Sequence, residues 1–271
     1  MKIKKMNTMW QYVMFTYLLF WFMVLGLGGI AIFVFDVTPF GMSCVTTLCS
    51  WAPTIVLLIM LKKLKPDTSI KNFYKEAFKE KLNSSVFFIA SLVIVGVFLI
   101  STGVLAVFEK TAQLQFASTA LLSNILFTAI QGASGEESGW RGFLMAEMEG
   151  KYGFVKGNLI LGLIWAFWHL PLWFVSTNYS GLHLLIYILS FIIGITAFSI
   201  IIGVCMKKCN NLFLSFWMHF LFNFVLTFFI GKDVYLLALL AVLYTVTAVI
   251  FTVVHLYREG VRLSPKAHTR N

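Results

Sequence analysis

Charged residues are scarce in this sequence, and acidic residues are the scarcest. Of 271 residues only 12% are charged, and the 11 Asp and Glu residues are outnumbered by 21 Lys and Arg residues. A soluble domain carries about 25% charged residues. In their place stand 28 Phe and 8 Trp residues, and 59% of the chain is hydrophobic. This composition excludes an ordinary soluble domain and predicts a polytopic membrane protein.

Paired cysteines and two common hydrolase signatures are also missing. The cysteines Cys44, Cys49, Cys205 and Cys209 form no Cys-x-x-Cys pair, so we expect neither a disulfide nor a cysteine metal site. Cysteines in apolar segments usually behave as small hydrophobic residues. The chain has no His-Glu-x-x-His zinc motif and no Gly-x-Ser-x-Gly elbow. A hydrolase built on this chain is therefore expected to use water as its nucleophile.

Long apolar runs dominate what the sequence does contain. A helix needs about 20 apolar residues to cross a bilayer. Eight stretches approach this length: 11–35, 41–61, 85–108, 117–135, 157–176, 182–206, 211–231 and 234–257. Their connections are short and no internal repeat is evident. The sequence therefore predicts an all-α, polytopic membrane helix bundle of about eight transmembrane helices, forming a single membrane domain over residues 1–271.

The distribution of positive charge predicts the orientation of the bundle. Lys and Arg concentrate in the cytoplasmic loops of membrane proteins. With both termini in the cytoplasm, all of the 21 basic residues except Lys110 and Lys232 fall on the cytoplasmic side. We therefore expect a multi-pass protein of the cell membrane with both termini cytoplasmic. Contact with the anionic lipid bilayer then explains the net charge of +10, and no nucleic-acid partner is expected.

A polar cluster interrupts the apolar pattern at Glu136, Glu137 and Arg141. Ionisable groups at membrane depth are costly, so they are retained mainly where they pair, line a water-filled cavity or do chemistry. Glu137 and Arg141 are four residues apart, share a helical face and can form an ion pair. Glu136 points about 100° away and is free to face a cavity as a base. The alternative is a simple interfacial ion pair at the end of the fourth apolar stretch.

Two later apolar segments each contain a histidine in their interior, whereas His183 and His255 lie at the ends of predicted stretches. His169 precedes Pro171, which removes a backbone donor and tends to kink a helix. His219 and Asn223 are four residues apart and share a helical face. Each histidine could simply bond a neighbouring carbonyl. Together with Glu136, however, they supply the parts of a hydrolytic site, because a carboxylate and an imidazole can deprotonate water while a second imidazole and an amide stabilise an oxyanion.

These residues resemble the motifs of the CPBP intramembrane proteases, which include CAAX prenyl endopeptidases of the Ras-converting type and bacterial relatives linked to bacteriocin processing and immunity. The resemblance rests on three ordered motifs: Glu136-Glu137-x-x-x-Arg141, the aromatic-x-x-x-His motif from Trp165 to His169, and His219-x-x-x-Asn223. They fall within residues 117–225, which we expect to form the catalytic core. The second motif usually begins with Phe, so Trp165 is a departure. We expect it to alter the packing without loss of chemistry.

The resemblance implies a role for each motif, in a cavity reached from the cytosolic side. Glu136 with His169 would activate water, while His219 and Asn223 would hold the oxyanion. The other two charged residues of the first motif would support the geometry. The residues leave the use of a metal open, because Glu136, His169 and His219 could also supply a Zn²⁺ site with one open position. We favour the metal-free mechanism.

The expected function is that of an intramembrane endopeptidase cleaving a peptide or protein substrate near the cytoplasmic membrane face. A peptide precursor, bacteriocin or signalling peptide is favoured over a CAAX protein. One alternative is a non-enzymatic membrane regulator or bacteriocin immunity protein on the same fold, which would tolerate loss of Glu136 and His169. Another is a transporter or proton relay, which predicts paired polar breaks in two repeated halves. Here each motif occurs once.

Overall fold

The computed structural model describes residues 7–109, 111–116, 121–175 and 177–260. Within these ranges almost the whole chain is helical, with one short two-stranded ribbon. The elements in chain order are α1 (Thr8–Phe22), a π-helical segment (Met23–Gly28), α2 (Gly29–Phe33), α3 (Pro39–Ser50), α4 (Ala52–Leu64), α5 (Ile70–Ala77), α6 (Ser84–Phe108), β1 (Gln113–Leu114), α7 (Leu121–Thr128), a π-helical segment (Ala129–Ser134), α8 (Gly135–Gly139), a π-helical segment (Trp140–Leu144), α9 (Met145–Tyr152), α10 (Phe154–Trp168), α11 (Leu170–Val175), α12 (Gly181–Lys208), α13 (Leu212–Leu226), β2 (Phe229–Ile230) and α14 (Asp233–Arg258). Both chain termini and residues 117–120 of the expected catalytic core lie outside the described residues.

The predicted all-α polytopic bundle is confirmed, although its helices are less uniform than the eight stretches suggested. Five described helical runs are long and apolar enough to cross a membrane: Thr8–Phe33, Phe40–Leu64, Ser84–Phe108, Gly181–Lys208 and Asp233–Arg258. The fifth and seventh predicted stretches contain the shorter apolar helices α10 and α13. The fourth stretch is the exception, because from Leu121 onward it is a series of short α-helical and π-helical segments.

Closely spaced glycines explain the irregular fourth segment. Glycine lowers helix propensity, and isolated π-helical turns occur often at functional sites. Here glycine also allows a neighbouring helix to approach closely. A methyl group added to Gly139 would lie 2.7 Å from the Cβ atom of Pro53 in α4. The glycine-rich segment therefore packs directly against α4. A larger side chain at position 139 would displace it.

The bundle has two ends that can be told apart by their contacts. At one end β1 pairs antiparallel with β2, and the Lys232 ammonium lies 3.8 Å from the Glu109 carboxylate. We call this the ribbon end. At the other end, the basic end, the Lys207 ammonium lies 2.5 Å from the Glu149 carboxylate. The long helices α12 and α14 both begin at the ribbon end and finish at the basic end.

The short helix α5 packs under the glycine-rich segment at the basic end. Ser69 caps the helix by accepting a hydrogen bond from the backbone N–H of Asn72. Phe73 is buried and lies close to Gly142, and the Tyr74 hydroxyl is 3.2 Å from the Ser138 hydroxyl. The amphipathic helix therefore uses its aromatic face to support the segment that carries the first motif.

Candidate active site

A cavity of about 450 Å³ brings residues from all three motifs together. Glu136 reaches it from α8, and His169 from the break between α10 and α11. His219 and Asn223 reach it from successive turns of α13. The remaining predicted residues, the ion pair of the first motif, lie behind this lining. Packing thus separates the six predicted residues into a cavity layer of four and a supporting layer of two.

The cavity occupies the half of the bundle nearest the ribbon end. In α12 its lining residues run from Tyr187 to Ile195, and in α14 from Asp233 to Tyr244. The α14 range falls in the first half of its helix, and the α12 range ends just past the midpoint of its helix; both helices begin at the ribbon end. The predicted orientation places the ribbon end away from the cytoplasm, whereas the expected access is from the cytosolic side. Both expectations stay predictions, because the lining residues locate the cavity and not its entrance.

Glu136 is buried, and two tryptophans hold one of its carboxylate oxygens. Its Oε2 atom accepts the indole N–H of Trp165 at 2.6 Å and that of Trp140 at 3.4 Å. Within the described part of the chain, no donor bonds its Oε1 atom. Because Glu136 lines the cavity, this second oxygen is available to a bound water molecule.

The predicted ion pair between Glu137 and Arg141 is present and fully buried. Nη1 of Arg141 lies 2.8 Å from Oε1 of Glu137, and both side chains are 0% exposed. Nη2 of Arg141 donates to the Ser199 hydroxyl at 3.1 Å, which ties the pair to α12. The pair therefore belongs to the interior of the bundle and not to an exposed interface.

Glu137 also holds His219, a contact that sequence reasoning missed. Its Oε1 atom lies 2.8 Å from Nδ1 of His219, and that ring is 5% exposed. A carboxylate accepts hydrogen bonds, so Nδ1 carries a proton and donates. The ring is thereby oriented through Nδ1, which leaves Nε2 on the cavity side.

His169 occupies the predicted helix break. The helix α10 ends at Trp168, and α11 begins at Leu170, close to Pro171. Nδ1 of His169 lies 2.9 Å from the carbonyl oxygen of Trp165, so Nδ1 donates its proton to that carbonyl. The simple carbonyl bond considered from the sequence is therefore formed. In the neutral form of the ring Nε2 then carries no proton, so the same ring can still accept a hydrogen bond from a water molecule in the cavity.

Asn223 and His219 converge on one point beside Gly132. A methyl group added to Gly132 would lie 2.6 Å from Nε2 of His219 and 2.7 Å from Nδ2 of Asn223. Both distances are too short for real contacts, so a side chain at position 132 would collide with both groups. Glycine at position 132 therefore allows His219 and Asn223 to pack directly against the segment that leads into the first motif. This packing brings Nε2 of His219 and Nδ2 of Asn223 close to the same point.

Comparisons with known proteins identify the family of this chain. Residues 118–225 match the family model described as Type II CAAX prenyl endopeptidase Rce1-like. The chain is also 30% identical over 182 residues to the CAAX prenyl protease 2 of Methanococcus maripaludis, an alignment covering 64% of this chain and 67% of that protein. The chain belongs to the CPBP family. The family and the relative indicate an intramembrane endopeptidase of the CAAX prenyl protease type in a multi-pass membrane protein.

The zinc alternative considered for this CPBP site requires three donors around one ion. Within residues that the structure describes, no group of three or more His, Cys, Asp or Glu side chains is placed to hold a metal ion. This arrangement of donors does not fit a zinc ion, so the mechanism below uses the side chains alone.

Three further residues of this CPBP site were not predicted as site residues from the sequence. Trp140 lies four residues after Glu136, so helical spacing could have identified it as a partner. Trp165 was noted only for packing, and Ser199 was not noted. Both meet the first motif across the bundle, at distances in the chain that no local pattern covers.

Proposed function

We propose that this CPBP chain hydrolyses a peptide bond inside the membrane, with Glu136 and His169 activating a water molecule. The observation that carries the proposal is the convergence of Glu136, His169, His219 and Asn223 on one cavity. Such a set, drawn from three separate helical segments, contains an acceptor for a proton and donors for an oxyanion.

The nucleophile would be a water molecule placed between Oε1 of Glu136 and Nε2 of His169. As its oxygen attacks the carbonyl carbon of the substrate, Glu136 takes one proton. The same proton then passes to the nitrogen of the leaving amine when the carbon–nitrogen bond breaks. The carboxylate suits this role because one of its oxygens is anchored and the other faces the cavity.

The developing negative charge would be held by the two residues of the third motif that line the cavity, His219 and Asn223. The Asn223 amide is an N–H donor in every protonation state of the site. Nε2 of His219 donates only when both ring nitrogens carry protons. The adjacent Glu137 carboxylate, 2.8 Å from Nδ1, compensates the positive charge of that form. The buried ion pair thus supports the oxyanion site through His219.

The proposed substrate is a peptide or protein segment that enters the cavity within the membrane. A peptide precursor, bacteriocin or signalling peptide is favoured, and a prenylated CAAX peptide is the alternative suggested by the name of the relative. We further propose one membrane domain over residues 1–271, with residues 117–225 as its catalytic core. The helix α14 lies outside that core yet lines the cavity, so it belongs with the substrate site.

Comparative peptidomics of membranes tests this function. Cells with the wild-type chain are compared with cells carrying Glu136→Ala, and purified wild-type protein is then offered prenylated and unprenylated versions of each candidate peptide. Full-length peptides are expected to accumulate in Glu136→Ala membranes, and the purified wild-type protein is expected to cleave them. Identical peptide profiles would instead favour the non-enzymatic regulator.

Asn223→Asp is expected to cause a severe loss of peptide hydrolysis. The substitution replaces an N–H donor with an acceptor and places negative charge where the transition state develops it. The barrier should rise by on the order of 3 kcal/mol, as for other lost oxyanion donors. Turnover rates of purified variants in lipid give the measurement, with folding checked by thermal denaturation.

Asn223→Leu is the matched control, because it removes the donor without adding charge and keeps a similar volume. Its loss of turnover should be large but smaller than that of Asn223→Asp.

A zinc site should respond differently to Asn223→Asp, since an aspartate can ligate zinc. Elemental analysis of active wild-type protein is expected to find no stoichiometric metal. Stoichiometric zinc whose removal by a chelator stops turnover would overturn the metal-free mechanism.

A further inference from the structure

Trp165 contacts four of the site residues through different parts of one side chain and backbone. Its indole N–H donates to Oε2 of Glu136 at 2.6 Å, and its carbonyl accepts from His169 at 2.9 Å. The Arg141 guanidinium carbon lies 4.2 Å from the centroid of its ring. The ring also meets His219 edge to face, with centroids 5.1 Å apart. Trp165 therefore links both layers of the site.

The indole N–H contributes something that a phenyl ring cannot. A short hydrogen bond to a carboxylate is roughly twice as strong as a bond between neutral groups. Trp165 is 1% exposed, so water does not compete for the bond. The second donor, Trp140, is farther from the same oxygen, at 3.4 Å, and contributes less. Trp165 is therefore the main anchor of the Glu136 carboxylate.

The ring of Trp165 also contacts the buried arginine, Arg141, which pairs with one of the two acids of the first motif. Arg141 stacks on the ring face and bonds Glu137, whereas Glu136 lies at the ring edge. An ion pair to Arg141 would make Glu136 a poorer proton acceptor. The indole keeps Arg141 on Glu137 and leaves Glu136 to act on water.

We propose that Trp165 is a positioning residue for the general base, an inference that rests on the proposed function. Its N–H fixes Oε2 of Glu136 so that Oε1 faces the cavity, and its ring keeps Arg141 away from that carboxylate. Where the second motif of the family usually has Phe, this chain has a residue that orients the base. The sequence led us to expect only altered packing at Trp165, and the proposal adds a role in orienting the base.

The test uses Trp165→Phe together with replacement of Trp165 by benzothienylalanine, which keeps the bicyclic shape and lacks the N–H. Both should lower kcat at least about tenfold, the size expected for a lost hydrogen bond to a charged group, with little change in KM. Trp217→Phe is the matched control, since it removes an indole bond of 2.8 Å to Ser91 away from the cavity. Its kcat should match the wild-type value.

Three outcomes would overturn the proposal. They are an unchanged kcat in the benzothienylalanine protein, a raised KM at constant kcat, or a loss equal to that of Trp217→Phe. If Trp165→Phe fails to fold, the isosteric replacement alone decides.

A readout without catalysis is the indole N–H resonance of Trp165, assigned by its disappearance in Trp165→Phe. The chemical shift of this resonance should change in Glu136→Gln. An unchanged chemical shift refutes the contact. A chain that cleaves no peptide but shows this shift would refute the proposed function and leave the contact standing.

Discussion

Glu136→Gln is expected to abolish peptide hydrolysis while the protein still accumulates in the membrane. The loss should be at least about 100-fold, in line with removal of a general base. The amide keeps the shape of the side chain, and its oxygen can still accept the indole N–H of Trp165. Its nitrogen, however, cannot take a proton from water. Turnover of candidate peptides by purified protein in lipid is the measurement.

Glu147→Gln is the matched control for this substitution, because Glu147 is exposed on α9, in the same helical stretch. It removes the same carboxylate chemistry away from the cavity and should leave turnover unchanged. Normal turnover by purified Glu136→Gln would contradict the assignment of Glu136 as the base.

Arg141→Ala is expected to lower both stability and activity. The substitution leaves the Glu137 carboxylate buried with His219 as its remaining partner, and Oε2 of Glu137 already has no hydrogen bond among the described residues. Breaking a desolvated ion pair by removing one partner costs roughly 3–5 kcal/mol. Thermal unfolding in detergent or lipid, paired with turnover rates, measures both effects. Lower activity follows because Glu137 also orients His219.

Lys79→Ala is the control for charge removal alone. Lys79 lies 3.2 Å from Glu76 in an exposed pair, and such pairs contribute about 0–1 kcal/mol. Its unfolding temperature should stay near the wild-type value. An Arg141→Ala variant that is inactive yet fully stable would move Arg141 from support of the site to direct contact with substrate.

Local patterns were sufficient for the class of fold and for the residues of the first motif. Hydropathy over windows of about 20 residues predicts helices that cross a membrane, and each predicted stretch does contain a helix. The spacing of Glu137 and Arg141 predicted their pair, since residues four apart on a helix are neighbours. The π-helical turns at Ala129–Ser134 and Trp140–Leu144 were beyond such windows. Their glycines meet helices that are distant in the chain, since Gly132 lies against α13 and Gly142 lies against Phe73 of α5.

Contacts between distant segments were decided by packing. Trp165 bonds Glu136 across 29 positions, and His219 bonds Glu137 across 82. No local period relates residues so far apart in the chain. The helix directions likewise place the cavity at the ribbon end, which the charge pattern could not reveal because it concerns the loops.

By itself, the sequence determined that this protein is a membrane-embedded helical bundle, which motif residues it carries and which two of them pair within one helix. These are consequences of composition and of the helical repeat. Only the tertiary structure decided that Glu137 bonds His219, that Trp165 bonds Glu136 and that Gly132 lies against His219 and Asn223. The physical reason is that a buried polar group must find its partner wherever packing brings a neighbouring helix within hydrogen-bonding distance.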